Sequence, residues 1–303
     1  MCGIVGLHLR NPNLYPQLGE MLTGMLCEME DRGADSAGVA VYGHEQWSPP
    51  GMGTVSLIDV DVAADVAASA LTHELGAEVS VTAVDKILLT SSAADSRELL
   101  AVARRVYPAA LIGGFGEDLA VLKGVGGPRT LAANWGLSRV TGWQGVGHTR
   151  MATESAVTSS GAHPYAVGPG ECLVHNGSFS NHASIRRDLK AAGVTFDSEN
   201  DTEVGARFVA YELANGKGMD EALTDLTETF DGFYTLLVSN RDSFAVVRDA
   251  IACKPAVIAE TDDWVAMASE YRALAHLPGV ENARIWEPEP EVIYHWNRQE
   301  VLA

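Results

Sequence analysis

A cysteine at position 2, directly behind the initiator in Met1-Cys2-Gly3-Ile4-Val5-Gly6, is the residue of this chain with the most chemistry available to it. Methionine is normally trimmed when the next side chain is small, and trimming would leave a thiol and a free α-amine on one residue. Reference pKa values of about 8 for an α-amine and about 8.5 for a thiol let each exist in its useful form at neutral pH. Nucleophile and base would then share one Cα, the cysteine counterpart of a threonine activated by its own terminal amine. A direct hydrogen bond between them is badly angled, so a water within roughly 3 Å of both is the better relay. The plainer reading is a small apolar residue opening a buried strand, since Ile4, Gly6 and His8 alternate with Val5, Leu7 and Leu9.

The elements that must hold such a residue follow from periodicity. Leu18, Leu22, Met25, Leu26 and Met29 recur at helical spacing, and the stripe stops at Asp31-Arg32-Gly33. A strand is predicted over 39–42, and the turn-rich Trp47-Ser48-Pro49-Pro50-Gly51 marks a boundary. Residues 54–141 read as a small α/β module: a helix over 61–75 closed by Gly76, a strand over 86–90, then a helix starting at Asp95. Glu98 stands in a capping-box position three residues after Asp95, and strands are predicted over 111–115 and 119–125. The module holds no clustered His, Cys or Asp and reads as an insertion.

Beyond it, Gly147-His148-Thr149-Arg150-Met151-Ala152-Thr153 ends a short strand, and a Ser/Thr/Gly-rich stretch over 154–161 precedes His163-Pro164-Tyr165. A strand over 172–175 delivers Asn176-Gly177, and helices follow over 181–192, after Asp201-Thr202-Glu203 and from Asp220. Strands over 233–239, 244–248, 255–260 and 264–269, joined by short turns, predict antiparallel sheet. Strands, central helices and more strands together predict an α+β fold of two sheets covered by helices.

Composition narrows the function classes. The chain has 303 residues, 47% of them hydrophobic, enough for an ample core. A net charge of -19 disfavours nucleic acid or anionic membrane as a partner, because phosphate neutralisation needs clustered Lys and Arg. Cys2, Cys27, Cys172 and Cys253 form no Cys-x-x-Cys pair, against both a zinc site and a disulfide framework, and no metal is called for. No apolar run approaches the roughly 18 to 20 residues that span a bilayer, and no basic segment precedes an apolar one at the start. A cytoplasmic protein is expected.

Taken in order, Met1-Cys2-Gly3-Ile4-Val5-Gly6, Arg32-Gly33-Ala34-Asp35-Ser36-Ala37-Gly38, His148-Thr149-Arg150, His163-Pro164, His175-Asn176-Gly177 and Asp201-Thr202-Glu203 resemble the class II glutamine amidotransferases, which are N-terminal nucleophile hydrolases. The resemblance runs over nearly the whole chain. A finer likeness, to the amidotransferase subunit of N-methylglutamate synthase and glutamate-synthase-like systems, rests on Arg150-Met151-Ala152-Thr153-Glu154-Ser155, the inserted module, Ala252-Cys253-Lys254-Pro255 and Ser269-Glu270-Tyr271-Arg272. Met151 stands where many relatives have an aromatic residue, and Glu154 where the aminosugar-forming branch has a histidine, so that branch is disfavoured.

The resemblance implies a four-layer αββα sandwich and a role for each matched residue in opening the glutamine side-chain amide. Cys2 is the nucleophile, and the Asn176 side chain and Gly177 N–H stabilise the oxyanion. Asn-Gly also commonly makes a tight turn, a plainer account that can hold beside the first. Arg150 takes the substrate carboxylate, where its planar fork makes two parallel bonds. Asp201 takes the substrate ammonium; its plainer role is to cap the helix that follows. Thr149, Thr153 and His163 are assigned to substrate positioning, while His148 and His175 read as structural. Arg32, Asp35 and Ser36 support the site or simply end a helix.

Ammonia protonated in water is no longer nucleophilic, so the family hands it to a second active site, for which this sequence leaves no room. The resemblance therefore implies a separate synthase subunit carrying FMN, with or without an iron–sulfur cluster, and no cofactor on this chain. Two alternatives remain: an N-terminal nucleophile hydrolase of another γ-glutamyl amide, and a silent glutamine-binding regulatory subunit.

Overall fold

The alternation in the first strand decides how the layers stack. In the computed structural model, which describes residues 2–152 and 156–298, β1 (Gly3–Leu9) is buried along its whole length. Val5, Leu7 and Leu9 pack with Leu18, Leu22, Met25 and Leu26 of α1 (Leu18–Cys27), whereas Ile4 joins a second apolar layer on the opposite face. A strand covered on both sides belongs in the middle of a sheet, and β1 sits there. After α1 the chain enters β2 (Ser36–Tyr42), also buried throughout.

The inserted segment builds its own sheet. It runs β3 (Gly53–Ile58), α2 (Ala64–Leu75), β4 (Val79–Val84), β5 (Ile87–Ser92), α3 (Ser96–Val106) and β6 (Leu111–Glu117). The strands pair antiparallel in the order β4-β5-β3-β6, with Val55, Leu57, Leu71, Leu88 and Leu99 in a core shared with the two helices. This is the split β-α-β arrangement. Gly76 ends α2 at φ +72°, a left-handed conformation that suits glycine, and Asp95 caps α3 by accepting from Arg97 N at 2.8 Å. The edge strand β4 is absent from the sequence reading because exposed Ser80 and Thr82 weaken its apolar signal.

The next strand corrects the predicted module of 54–141. Asp118, at φ +59°, reverses the chain after β6, and β7 (Leu119–Val125) pairs along its length with β2 in the main sheet, not with the module. Then α4 (Pro128–Trp135) places Leu131 and Trp135 in the same core as α1. Apolar alternation over 119–125 looks the same whichever sheet receives it, so only pairing distinguishes the two.

The chain continues through β8 (Gln144–Arg150), β9 (Cys172–Phe179), α5 (His182–Ala191), α6 (Asp201–Ala214), α7 (Met219–Thr229), β10 (Gly232–Ser239), β11 (Ser243–Arg248), β12 (Val257–Glu260), β13 (Trp264–Ala268), β14 (Arg284–Trp286) and β15 (Tyr294–Asn297). The seven-stranded sheet has the order β14-β12-β13-β1-β8-β2-β7, and the four-stranded sheet β15-β11-β10-β9. Ile4, Tyr42, Val121 and Val146 of the first meet Val174, Leu237, Phe244 and Val246 of the second. They pack closely: a Cβ on Gly6 would come within 2.4 Å of Leu237 Cδ1. Truncating the fully buried Leu237 to alanine should cost about 2–5 kcal/mol. With α1 and α4 over one sheet and α5, α6 and α7 over the other, the layers are α, β, β, α, as the sequence predicts. Among the described residues no helix is long and apolar enough to cross a membrane.

Candidate active site

Cys2 is placed by the start of the central strand. Gly3 pairs with Thr149 across β1 and β8, and a Cβ on Gly3 would lie 2.8 Å from both Met29 Cβ and Thr149 Oγ1, so only glycine lets the strand begin here. Arg32 Nε donates to the Cys2 carbonyl oxygen at 2.8 Å, and Asn176 Nδ2 donates to the same oxygen at 3.2 Å. Arg32 is itself paired with Glu270 at 2.6 Å. Cys2 Sγ lies 3.9 Å from the Met151 carbonyl. The sequence reading left Arg32 between support and helix end; it touches the main chain of Cys2 directly.

The segment after Arg32 braces the end of β8. A Cβ on Gly33 would fall 2.5 Å from the Arg150 carbonyl carbon. Asp35 N donates to Arg150 O at 3.1 Å, and Ala152 N donates to Asp35 Oδ2 at 2.8 Å. Arg150, almost fully buried, donates from Nη1 to Ala156 O at 3.4 Å. Thr149 departs from its expected role: its hydroxyl is buried and donates to Met29 O at 3.0 Å, tying β8 to the turn that follows α1 instead of facing a substrate. The side chain at 149 points to the helix layer because strand alternation puts its neighbour Arg150 on the other face. Thr153 lies outside the described residues.

Asn176 and Gly177 lie within β9, so the dipeptide does not turn the chain. Gly177 pairs with Tyr234 and has φ +144°, where a Cβ would fall 2.0 Å from Phe233 O. Glycine is required on both counts. Asp201 does not cap α6 either. Asn200 is the cap, its side chain accepting from Thr202 N at 2.8 Å, whereas Asp201 Oδ2 accepts from Phe179 N at 2.9 Å and thereby ties the helix start to β9.

These pieces meet in a cleft of about 710 Å³ whose lining includes Cys2, Arg150, Gly177, Asp201 and His163. One wall comes from Ala156, Thr158, Ser160 and Gly161, in the Ser/Thr/Gly-rich stretch, and another from Ser198, Glu199 and Asn200. A histidine cluster lies against it. His163 Nε2 and His175 Nδ1 bond to Thr202 Oγ1 at 3.0 and 2.9 Å, His148 Nε2 reaches the His175 carbonyl at 3.1 Å, and the His148 and His163 rings stack 4.0 Å apart. Burial lowers all three imidazoles, His148 to about 3, so they are neutral at pH 7. Among the described residues no group of three or more His, Cys, Asp or Glu is placed to hold a metal.

The sequence reading missed Thr202 as the hub of this cluster and Glu270 as the partner of Arg32. Both sit inside motifs quoted for the resemblance, but neither spacing nor residue type announces a bond across 27 or 238 positions.

A family model described as a glutamine amidotransferase domain matches residues 148–276. The chain is 46% identical over 305 residues to the glutamine amidotransferase-like protein GlxB of Rhizobium meliloti (strain 1021), covering 99% of each. It is 28% identical over 288 residues to a putative glutamine amidotransferase of Methanothermobacter thermautotrophicus, covering 89% of this chain and 92% of that one. Among solved structures, the glutamine phosphoribosylpyrophosphate amidotransferase of B. subtilis, complexed with ADP and GMP, is similar with a TM-score of 0.60 at 18% identity, covering 98% of this chain and 49% of that one. At that identity the likeness is one of fold.

Proposed function

Because the chain belongs to the class II glutamine amidotransferases, we propose that Cys2, once Met1 is removed, attacks the side-chain amide carbon of glutamine in the cleft. The observation that carries this reading is one cavity lined by Cys2, Arg150, Gly177 and Asp201. A thiol, a cation and a carboxylate around one small cavity are what a free amino acid with a reactive amide requires.

The tetrahedral oxyanion needs two donors. One N–H of Asn176 Nδ2 is used on the Cys2 carbonyl, and the amide carries a second. The other donor is Gly177 N–H. Its strand, β9, is the edge of its sheet, and the His175 carbonyl and Phe179 N–H both point away from β10, to His148 and Asp201. The two-residue period of a strand directs the Gly177 N–H to that same side. Arg150 holds the substrate carboxylate, and the second oxygen of Asp201 holds the ammonium. The Cys2 amine, working through a water, takes the thiol proton and returns it to the departing ammonia. Water then opens the γ-glutamyl thioester, releasing glutamate and freeing the thiol. His163 shapes the cavity wall.

Ammonia passes to a separate synthase subunit of N-methylglutamate synthase or glutamate-synthase-like type. FMN, with or without an iron–sulfur cluster, resides on that subunit and none on this chain, and the complex works in the cytoplasm. The inserted module is its docking surface. The relative called amidotransferase-like, 46% identical, supports the amidotransferase reading.

Intact mass after treatment with a diazoketone analogue of glutamine tests the site: one adduct is expected, on a chain lacking Met1. Full activity on a chain that retains Met1 would overturn the mechanism. Co-purification from the native cell with a flavin-containing subunit tests the partner; recovery of a fully active chain alone, with no flavoprotein bound, would overturn it.

A further inference from the structure

Two parts of the site come from different layers. Asn176 and Gly177 belong to the edge strand of the small sheet, and Asp201 to the first turn of α6 above it. His175 immediately precedes Asn176, and Thr202 immediately follows Asp201. Thr202 is 1% exposed, and its hydroxyl bonds to His175 Nδ1 at 2.9 Å and to His163 Nε2 at 3.0 Å. It thus touches the strand bearing the oxyanion donors, the helix start bearing the ammonium ligand and the cleft wall. We infer that Thr202 is a positioning residue, whose hydroxyl holds the oxyanion strand and the ammonium-binding helix start in one register for glutamine. This rests on the glutaminase reading above.

A hydroxyl has one proton to give and two lone pairs to accept with, so of two neutral imidazoles bonded to it at least one must donate its N–H to the Thr202 oxygen. His163 Nδ1 and His175 Nε2 have no protein hydrogen-bond partner among the described residues, which leaves Thr202 as the side-chain bond that sets the tilt of both rings. Aromatic stacking holds their planes, with His163 on His148 at 4.0 Å and His175 on Phe179 at 4.5 Å, but stacking does not fix rotation within the plane. A valine in place of Thr202 keeps the shape and removes this one restraint.

The test compares T202V, T202S and H163F with the wild type, using glutamate release normalised to active sites titrated with the diazoketone. T202V is expected to lower kcat/KM by about tenfold to 10²-fold, the scale of a small misplacement of reacting groups, with kcat falling and KM rising because both halves of the site move. T202S, which keeps the hydroxyl, should restore most of the activity, and H163F should reproduce part of the loss. Unchanged titrated constants in T202V, or T202S as impaired as T202V, would overturn the inference. If T202V does not fold, H163F decides: constants equal to the wild type overturn it. A wild-type chain that neither takes the diazoketone nor releases glutamate would instead defeat the glutaminase reading, and this inference with it.

Discussion

Asn176 donates its side-chain amide to the main-chain oxygen of Cys2 at 3.2 Å, joining β9, an edge strand of its sheet, to the residue just before β1, the central strand of the seven-stranded sheet. Arg32 reaches the same oxygen at 2.8 Å. The proposed nucleophile is thereby held by its carbonyl from two sides while its residue lines the cleft.

Cys2→Ala should abolish glutamate formation while leaving the fold intact, because the side chain lines a cavity instead of a core. Circular dichroism and a coupled glutamate assay check this. Normal turnover would sink the nucleophile assignment.

Asn176→Ala should lower kcat by about 10² to 10³, the range for removing one oxyanion donor. Since the same amide also steadies Cys2, the rate of thiol alkylation by an amide-free reagent should change far less than kcat. Equal losses in both would mean that Asn176 acts only on the nucleophile.

Arg150→Lys and Asp201→Asn should each raise the KM for glutamine by about tenfold to 10²-fold, the scale of a charge-assisted hydrogen bond. Lysine keeps the charge but loses the two-pronged geometry. A KM that does not move in Arg150→Lys argues against the carboxylate role.

Glu270→Gln removes the ion-pair partner of Arg32, 2.6 Å away and largely shielded on the arginine side. The expected result is a kcat lowered by about tenfold with KM little changed, since the loosened guanidinium holds the Cys2 carbonyl less firmly. Stopped-flow measurement of acylation would register it.

Stability should fall in mild acid. Burial depresses His148, His163 and His175 below the usual value of 6.5, His148 to about 3. Between those limits the unfolded chain binds protons that the folded one refuses, so stability is full above about pH 6.5 and is lost as pH falls, by up to about 1.4 kcal/mol per pH unit for each histidine. Urea midpoints at pH 7, 6 and 5 measure it; His148→Gln should flatten the dependence.

Two sheets covered by helices were legible in the order of strands, central helices and more strands, and the four-layer αββα order is what the resemblance implies; in the fold Val5, Leu7 and Leu9 face the helical stripe beginning at Leu18 while Ile4 faces the second sheet. The module boundary was not. Residues 119–125 alternate as a buried strand whether they close the module or pair with β2, and the choice depends on a reversal at Asp118. Likewise Asn176-Gly177 carries the sequence of a turn yet lies in a strand, because β10 pairs across it. Asn200 rather than Asp201 caps α6, a shift of one residue that frees the carboxylate for Phe179 N and the cleft.

From the order of residues alone came the chemical types: a thiol next to the start, an amide beside a glycine, an arginine at a strand end, an acid at a helix start. Those are local properties of side chains and backbone. Which of them face one cavity, that Thr149 turns away to Met29, that Arg32 and Asn176 share the Cys2 oxygen, and that Thr202 joins two histidines, all needed the folded chain. Hydrogen bonds form between atoms close in space, and packing two sheets face to face brings together residues that no local pattern relates.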